Sequence, residues 1–528
     1  MCQSDNQIHF DLKRLSSDYL LVEDTGQVES TWICFRKNVS LSPEVLNNYI
    51  TDILKCCLTH SVDSYKIHLN RTKGAKLIKK VANRSNYTDL AIPQIIGLIW
   101  SALSVVHHFH IRIIPGNSYT SWARRKHYKN AISIYEKLLL MLLPNLFTTV
   151  IQALITFFNE SKIWELESLI AILLKKVLEI SKDNENVIKN LIESDNILDA
   201  RCVLRVIYSL LCYIDWMEMD DSMVPRMLDL YKLCTVNEYY FDLRSGYEVC
   251  LRTLFNKMMR RDILKAIHIM LEWTFTMDTN DTDVIEYASL LEYAANLRDD
   301  AEEYNHRITD EIFPLLLELI SSVNVYLNLL GCRVLFFLLN RNNNIIQLMH
   351  PRPFFKDVIV DINIGQYRVS DKRFLQRYHS PLHNSLMKAV INHGSSKINL
   401  ECTFACIALI IVEVPCGYTA SATVCLAMAL QEYALMLDCC QKSYNIHACV
   451  MFIMTLVCYV HKAHVFYDYV NTILSRRAQV APFLNPPLSV INRNDSNYFS
   501  YKQELFFEDW EARYGLWKCF IAKEQDSE

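Results

Sequence analysis

The sequence predicts an all-α protein built from stacked helices, and three observations support that prediction. Glycine is scarce, at 10 of 528 residues, or about 2% against a usual ~7%, which leaves few positions for tight turns. Apolar residues recur at spacings of three and four, as on one face of a helix. Several helices are apolar on more than one side, which is typical of helices packed between neighbours.

Length and composition indicate either several domains or one elongated array. Single hydrophobic cores stop growing near ~250–300 residues, and this chain has 528. Apolar residues make up 51% and charged residues 21%, which excludes disorder of the whole chain. The N-terminus has no secretory signal pattern, so we expect a soluble, intracellular protein, cytoplasmic or nuclear, with reduced cysteines.

The first 41 residues are irregular and contain a possible small hairpin. A helical pattern begins at Ser42, where a hydroxyl cap precedes Pro43 at the first helical position. Further along, two apolar stripes show the helical spacing clearly. They consist of Ile163, Leu166, Ile170, Leu173, Val177 and Ile180, and of Ile197, Ala200, Leu204, Ile207, Leu211 and Ile214.

Three stretches resemble the paired helices of armadillo and HEAT repeats. They are Val187–Leu211, then Ile312–Ile320 with Gly331–Asn340 and Asn344–Leu348, and more weakly Ser380–Leu386 with Leu400–Leu409. The resemblance implies a right-handed α-solenoid over residues 42–478, with about nine or ten repeats of ~40–47 residues. The regular asparagine and tryptophan ladder of the family's peptide-binding members is not found, so capture of extended peptides is not expected from it.

Two stretches interrupt the helical pattern. Residues 351–380 begin Pro-Arg-Pro and alternate β-branched residues around Gly365, which predicts a small non-helical insertion, either a hairpin or an ordered loop. Residues 479–500 are rich in proline and asparagine and are interpreted as a linker. The last segment, 501–528, is predicted to be an aromatic capping helix and tail.

One uncharged stretch, Leu138–Phe158, is long enough to span a membrane. It contains Pro144 and Asn145 at its centre and several threonines. We therefore interpret it as two core helices that meet at a turn, and we expect no membrane span.

Positive charge is concentrated near the N-terminus. Residues 1–130 hold 17 Lys and Arg against 10 Asp and Glu. On a helix, Lys73, Lys76, Lys80 and Arg84 fall within about 80° of arc. Such a face suits phosphates or an acidic protein surface, although a solvated helix face has the same pattern. The candidate binding residues are Lys73, Lys76, Lys79, Lys80, Arg84, Arg124, Arg125 and Lys126.

The sequence offers no recognisable catalytic or metal site. No two glycines are closer than Gly97 and Gly116, which excludes the glycine-rich phosphate loops and the GxSxG nucleophile motif. Eight of the 18 cysteines lie between Cys402 and Cys458 without a CxxC pair, so we interpret them as buried small residues. We therefore expect no enzyme activity, no cofactor and no metal.

The leading hypothesis is a scaffold or adaptor that binds protein partners through a helical-repeat surface with a basic N-terminal third, the partner supplying an acidic segment. A nucleic-acid-associated factor that uses the same basic face on phosphates is the alternative. A divergent enzyme without a recognisable motif is the second alternative. The oligomeric state stays open.

Overall fold

The structure is a computed structural model of the chain. It describes residues 92–111, 118–181, 183–193, 200–213, 223–236, 241–276, 281–297, 304–437, 440–488 and 503–525. Across these ranges the regular secondary structure is helical, without a strand. The possible hairpin within residues 1–41 lies outside the described residues, and so does the part of the predicted helical region between residues 42 and 91. The chain divides into two compact units, residues 1–223 with 245–253, and residues 224–244 with 254–528.

The first unit is a layer of packed helices. They are α1 (Ile92–Ile111), α2 (Ser118–Glu160), α3 (Glu167–Ser181), α4 (Asn184–Ile192) and α5 (Ala200–Tyr213). α1 packs along α2, α2 packs on α3, α3 packs on α5, and α4 contacts α2, α3 and α5. Trp164 is fully buried and donates an indole hydrogen bond to Asn159 Oδ1 at 2.7 Å. The helix pair α4 and α5 confirms the repeat-like pattern of Val187–Leu211.

α2 consists of two helices that meet at a kink. Leu146 has non-helical backbone angles, φ −133° and ψ 32°, two residues after Pro144. Proline removes a helical hydrogen bond and its ring clashes with the preceding turn, so the break falls where the sequence predicts a turn. Val150, Leu154 and Phe158 beyond the kink are buried. Leu138 and Leu142 before the kink are buried as well, so both halves of this stretch pack inside the unit along one face.

Two described helices have the length and composition of membrane spans. They are Tyr128–Glu160 within α2 and Gln441–His461. The most apolar 18-residue stretch of the first is 44% buried, and that of the second is 94% buried. A core helix of a packed layer passes the same test of length and hydropathy. The second helix is enclosed on all sides, as such a core helix is.

The second unit contains most of the helices. They are α6 (Met223–Val236), α7 (Phe241–Phe255, whose residues 245–253 belong to the first unit), α8 (Arg260–Thr276), α9 (Asp281–Asn296), α10 (Tyr304–Arg307), α11 (Ile312–Ser321), α12 (Val325–Leu339), α13 (Ile345–Leu348), α14 (Val369–Arg377), α15 (His379–His393), α16 (Lys397–Glu413), α17 (Gly417–Met436), α18 (Gln441–His461), α19 (His464–Val480) and α20 (Asp509–Gln525).

Eight of these helices form two rows. α8, α11, α15 and α17 contact one another in sequence along the first row, and α9, α12, α16 and α18 do so along the second. Each helix of the first row also packs on its partner in the second. This arrangement of stacked helix pairs is a helical repeat. It confirms the predicted all-α fold class and the repeat units that begin at Ile312 and Ser380.

Gly331 explains how closely two of these helices approach. A Cβ atom at this position would lie 2.8 Å from Leu319 Cβ and 3.0 Å from the backbone nitrogen of Ile320. Only glycine permits that separation between α11 and α12. Asn324 caps α12 by accepting hydrogen bonds from the backbone amides of Tyr326 and Leu327.

The insertion is shorter than predicted and is not a hairpin. Residues 351–368 have no regular secondary structure, and helix α14 begins at Val369. The predicted boundary at 380 is therefore wrong, because α14 and the start of α15 occupy residues 369–380. The loop is ordered by specific hydrogen bonds, including Gly365 N–H to Val412 O at 2.9 Å. Gly365 itself approaches the Glu413 backbone so closely that a side chain has no room.

Part of the predicted linker is also packed. α19 continues to Val480, and Pro482–Leu484 form a 3₁₀ turn. Leu484 and Phe483 join Tyr444, Leu505 and Phe506 in one apolar cluster. Residues 479–488 therefore belong to the packed layer, because they bury apolar side chains against α18. Residues 489–500 of the predicted linker lie outside the described residues.

Candidate functional site

An apolar pocket opens on the first helix row, between α14, α15, α16 and α17. Its volume is about 300 Å³. Its floor consists of aliphatic side chains that are buried in the core: Leu375, Leu382, Leu386, Ile407, Ile410 and Leu426. Its rim carries His379, His383, Ser421 and Ala422. A concave apolar site with a few polar groups at its edge is the usual form of a binding pocket.

A second pocket, here called the aromatic pocket, adjoins the first on the other side of α17. Its volume is about 750 Å³. The insertion and α14 contribute Tyr367 and Lys372, and α20 contributes Arg513, Trp517 and Phe520. Pro415, Cys416 and Gly417 at the start of α17 line it as well. Aromatic walls with two cationic groups make this pocket suited to an apolar ligand that carries negative charge.

Three residues of α17 line both pockets and join them into one groove. They are Tyr418, Ser421 and Cys425, which follow the helical spacing of three and four. This central ridge is therefore a single face of α17. Ser421, Ala422 and Cys425 are exposed, and their small side chains keep the ridge low. We call the apolar pocket, the ridge and the aromatic pocket together the groove.

A buried polar network joins α14 to Glu413, the last residue of α16, just before α17 begins. The guanidinium of Arg341 donates to Asp371 Oδ2 at 2.7 Å and to the backbone carbonyl of Glu413 at 2.8 Å. It also lies 4.0 Å from the ring centre of Tyr304. The side chains of Asp371 and Glu413 are fully buried. Because Asp371 precedes Lys372 and Glu413 precedes the turn into α17, the network holds both walls of the groove.

Two asparagines connect this network to the insertion. Asn342 donates a side-chain hydrogen bond to Glu413 Oε2 at 2.6 Å. Asn344 donates to Glu413 Oε1 at 3.2 Å and to the backbone carbonyl of Asn363 at 2.8 Å. Burial raises the pKa of Glu413, and the hydrogen bond from the Asn342 backbone and the charge of Arg341 oppose that shift. The insertion that carries Tyr367 is thus held by paired buried groups.

The position of α20 is fixed by the segment that precedes it. Gln431 of α17 donates to Phe507 O at 2.8 Å and accepts from Phe507 N–H at 3.0 Å. The fully buried Arg477 donates to Leu505 O and Leu484 O at 2.7 Å and 3.0 Å. These contacts satisfy the backbone of the segment inside the layer. They place α20 along α17, where it forms the outer wall of the aromatic pocket.

α20 presents a row of exposed aromatic rings. Trp510, Tyr514 and Trp517 are 72%, 42% and 58% exposed. The rings of Trp510 and Tyr514 are stacked with centroids 6.1 Å apart, and those of Tyr514 and Trp517 are 5.9 Å apart. Trp517 belongs to the aromatic pocket, so the row extends the groove outward. A contiguous exposed apolar patch of this kind marks an interaction surface.

The charged side chains that line the groove are Lys372 and Arg513, and both are basic. No aspartate or glutamate is among the described residues that line either pocket. The hydrogen bond to Asp509 raises the pKa of Arg513, which therefore stays cationic. Burial lowers the pKa of His383, aided by the nearby charge of His379. Burial also raises the pKa of the Tyr418 hydroxyl, so it acts as a neutral hydrogen-bonding group.

Within the described ranges, no group of three His, Cys, Asp or Glu side chains is placed to hold a metal ion. Cys402 and Cys406 are buried in α16, and burial raises the pKa of Cys402 to about 12. Such thiols pack as small apolar groups and are poor nucleophiles.

The residues predicted from charge lie elsewhere. Lys73, Lys76, Lys79, Lys80 and Arg84 fall outside the described residues, so their grouping on one face stays a prediction. Arg125 and Lys126 are exposed on α2, and Arg124 lies in the same helix. None of these three belongs to the unit that contains the groove.

Sequence reasoning missed the groove residues. Lys372 lies in the stretch for which the sequence predicts a non-helical insertion, and the cysteine pattern predicts that Cys425 is buried. The detectable signal was the aromatic series Trp510, Tyr514 and Trp517, whose spacing places three large rings on one helix face. The sequence predicts that this helix caps the array, a role that does not require exposed rings.

Comparison with known proteins supports the repeat architecture. Residues 282–515 match the family described as EFR3, armadillo repeat. No curated protein matches the chain significantly. A crystal structure of an engineered protein aligns over 96% of this chain and 98% of its own, with 12% sequence identity and a TM-score of 0.29. That score is too low to support any argument. The stretch that matches the armadillo repeat contains nearly all of α9, the helices α10 to α19 and most of the groove.

Proposed function

We propose that this armadillo/HEAT-like helical-repeat protein is a non-catalytic scaffold that binds a protein partner in the groove across α17. The observation that carries the proposal is the continuity of the groove. An apolar pocket of about 300 Å³ and an aromatic pocket of about 750 Å³ share the residues of one low ridge. An exposed aromatic row extends the same surface. Interfaces with these features bind through a few large buried side chains.

The repeat architecture agrees with this role. Stacked helix pairs create extended surfaces on which partners dock, and the rigid layers hold those surfaces without any catalytic group. The polar network of Arg341, Asp371 and Glu413 keeps the groove walls in place before a partner arrives. A preformed site of this kind lowers the entropy cost of binding.

The basic N-terminal third is a separate part of the proposal. Its lysines would hold an acidic segment of a partner, inside the cytoplasm or the nucleus. The groove and this basic region lie in different parts of the sequence, so they can be tested independently. Binding of RNA or DNA by the same lysines is an outcome that the test must separate, because phosphate contacts make affinity depend steeply on salt.

The test compares the full chain with three variants in affinity purification followed by mass spectrometry. Ala422→Trp fills the apolar pocket from its exposed rim. Arg476→Glu changes an exposed residue of α19 outside the groove and serves as the matched control. A third variant changes Lys76, Lys79, Lys80 and Arg84 to Glu. All samples are treated with nuclease before washing.

We expect at least one partner that the wild type and Arg476→Glu both retain and that Ala422→Trp loses at least 10-fold. Nuclease treatment should leave that partner bound. If every partner binds Ala422→Trp as well as the wild type, the groove is not the binding surface. If nuclease removes every partner, the nucleic-acid alternative replaces the scaffold. Loss of a partner only in the charge-reversed variant assigns it to the basic region.

A further inference from the structure

We propose that the partner element which the groove binds is an amphipathic α-helix. One aliphatic side chain of this helix fills the apolar pocket, and a carboxylate about two turns away reaches Lys372 and Arg513 in the aromatic pocket. The inference rests on the proposed scaffold function and adds to it the class of segment that is bound. Four features of the groove support it.

The first feature is that the aliphatic floor of the apolar pocket has no polar side chain to pair with a peptide backbone, since His379, His383 and Ser421 lie at its rim. An extended peptide exposes one N–H and one C=O per residue, and a buried one needs partners for them. The described lining of the two pockets contains no asparagine or glutamine. The Thr423 hydroxyl is already used, since it donates to Thr419 O at 2.8 Å, and the Thr419 hydroxyl lies 3.2 Å from Cys416 Sγ. A helix satisfies its own backbone and needs none of these groups.

The second feature is that the two pockets are neighbours along one face of α17. They share Tyr418, Ser421 and Cys425, so a ligand that fills both pockets must cross this ridge. Residues i and i+7 of a bound helix lie on one face and are ~10.5 Å apart. A helix can therefore carry an aliphatic anchor at i and a carboxylate at i+7 on the face that it presents to the ridge.

The third feature is charge. Lys372 and Arg513 line the aromatic pocket, and the described lining is free of acidic side chains. Arg513 forms an ion pair with Asp509 at 2.8 Å, but their side chains are 60% and 54% exposed. Exposed ion pairs of this kind are weak, and the guanidinium has five N–H donors. A partner carboxylate is therefore able to share or replace Asp509, whereas a basic partner would be repelled.

The fourth feature is the aromatic row on α20. Trp510, Tyr514 and Trp517 continue from the aromatic pocket to the surface. Aromatic residues are enriched at protein interfaces because they bury large areas at low entropy cost. A helix that crosses the ridge of α17 toward α20 would place its next turn against these rings. The row thus extends the contact beyond the two pockets.

The experiment selects ligands from a phage-displayed library of random 16-residue peptides on the full-length chain. Peptides that also bind Ala422→Trp are removed by counter-selection. We expect the remaining sequences to share an aliphatic residue and an acidic residue seven positions later. Their synthetic forms should become helical in trifluoroethanol by circular dichroism. Changing the aliphatic residue to Ala, or the acidic residue to Lys, should weaken binding about 10-fold in fluorescence anisotropy.

A charge exchange provides the sharpest readout. The double variant Lys372→Glu with Arg513→Glu should lose affinity for the acidic peptide and gain affinity for its Lys-substituted form. The control Arg476→Glu should bind both peptides as the wild type does. Circular dichroism and the urea midpoint of each variant establish that it is folded. A double variant that still prefers the acidic peptide contradicts the assignment of Lys372 and Arg513.

The outcomes also separate this inference from the proposed function. Groove-dependent peptides that are proline-rich, basic or without the i, i+7 pattern overturn the helix inference and leave the scaffold function in place. If no peptide depends on the groove, the helix inference fails, and the affinity purification with Ala422→Trp decides the scaffold function separately. A further outcome is that decanoate protects Cys425 from alkylation and no selected peptide does. That result would assign the groove to a fatty acid and overturn the inference as well.

Discussion

The adjacent helices α17 and α18 have similar lengths and apolar compositions but occupy different environments. In α18, buried residues cover the whole circumference, and its most apolar window is 94% buried. In α17, Ser421, Ala422 and Cys425 are exposed, and Ser421 and Cys425 belong to the ridge of the groove. α18 is covered by α16, α17 and α19, whereas α17 lies in the first row beside the two pockets. Position in the layers, rather than hydropathy, decides which helix becomes a surface.

The largest expected difference between the two helices is in the stability lost when one residue is replaced. Phe452 of α18 is fully buried, and its ring centre lies 5.9 Å from that of Phe354. We expect Phe452→Ala to lower the free energy of unfolding by about 4 kcal/mol, because it leaves a cavity. Ala422→Trp on α17 should change it by less than about 0.5 kcal/mol. Urea denaturation followed by circular dichroism measures both, and equal losses would contradict the layering.

The next largest effect concerns the network that holds the groove walls. Arg341→Gln leaves Asp371 and Glu413 buried without their cation, so we expect a loss of about 3 kcal/mol. The exposed pair of Arg377 and Asp310, with an N–O distance of 2.8 Å, is the matched control. Arg377→Gln should cost no more than about 0.5 kcal/mol. Hydrogen exchange should show faster exchange across residues 351–372 in Arg341→Gln alone. Unchanged exchange there would mean that the network does not anchor the insertion.

A smaller effect is expected from two glycines in the helix rows. Gly331→Ala forces its new Cβ against Leu319 and the Ile320 backbone, and overpacking of this kind costs about 2 kcal/mol. At Gly417 the nearest atom to a new Cβ is Phe520 Cδ1 at 3.4 Å, an ordinary contact. Gly417→Ala should therefore be neutral to within about 0.5 kcal/mol. Thermal unfolding of the two variants compares them directly, and a larger loss in Gly417→Ala would contradict the described contact.

The smallest effect is a dependence on pH. Burial raises the pKa of Glu413 in the folded chain above its unfolded value. The folded state therefore favours the protonated form. The resulting stability is present below the unfolded pKa and is lost as pH rises through the folded pKa. As the pH falls from 7 to 4.5, the free energy of unfolding of the wild type should therefore rise relative to that of Glu413→Gln. A shift in the opposite direction would show that the hydrogen bonds to Glu413 outweigh its burial.

The sequence was sufficient to predict the helix pairs and the break in α2. The spacing of Leu316, Leu319 and Ile320 and the position of Pro144 are local signals, and local backbone chemistry determines their outcome. The groove could not be predicted in the same way. Its walls come from α14, α15, α17 and α20. Lys372 and Arg513 are about 140 residues apart in the sequence, so their proximity is a long-range contact of the folded chain. The proximity of these two residues depends on buried hydrogen bonds such as those between Gln431 and Phe507. The spacing of apolar residues in the sequence does not predict such bonds.

The central claim is that the ridge of α17 is open to ligands while α18 is enclosed, and cysteine alkylation tests it most directly. Cys425 is exposed on the ridge, whereas Cys449 and Cys458 of α18 are buried, and burial raises the pKa of both thiols well above the ordinary value. Treatment of the folded chain with N-ethylmaleimide, followed by peptide mass mapping, gives the rate at each position. We predict that Cys425 reacts at least ~100-fold faster than Cys449 and Cys458. Equal rates at the three cysteines would contradict the account.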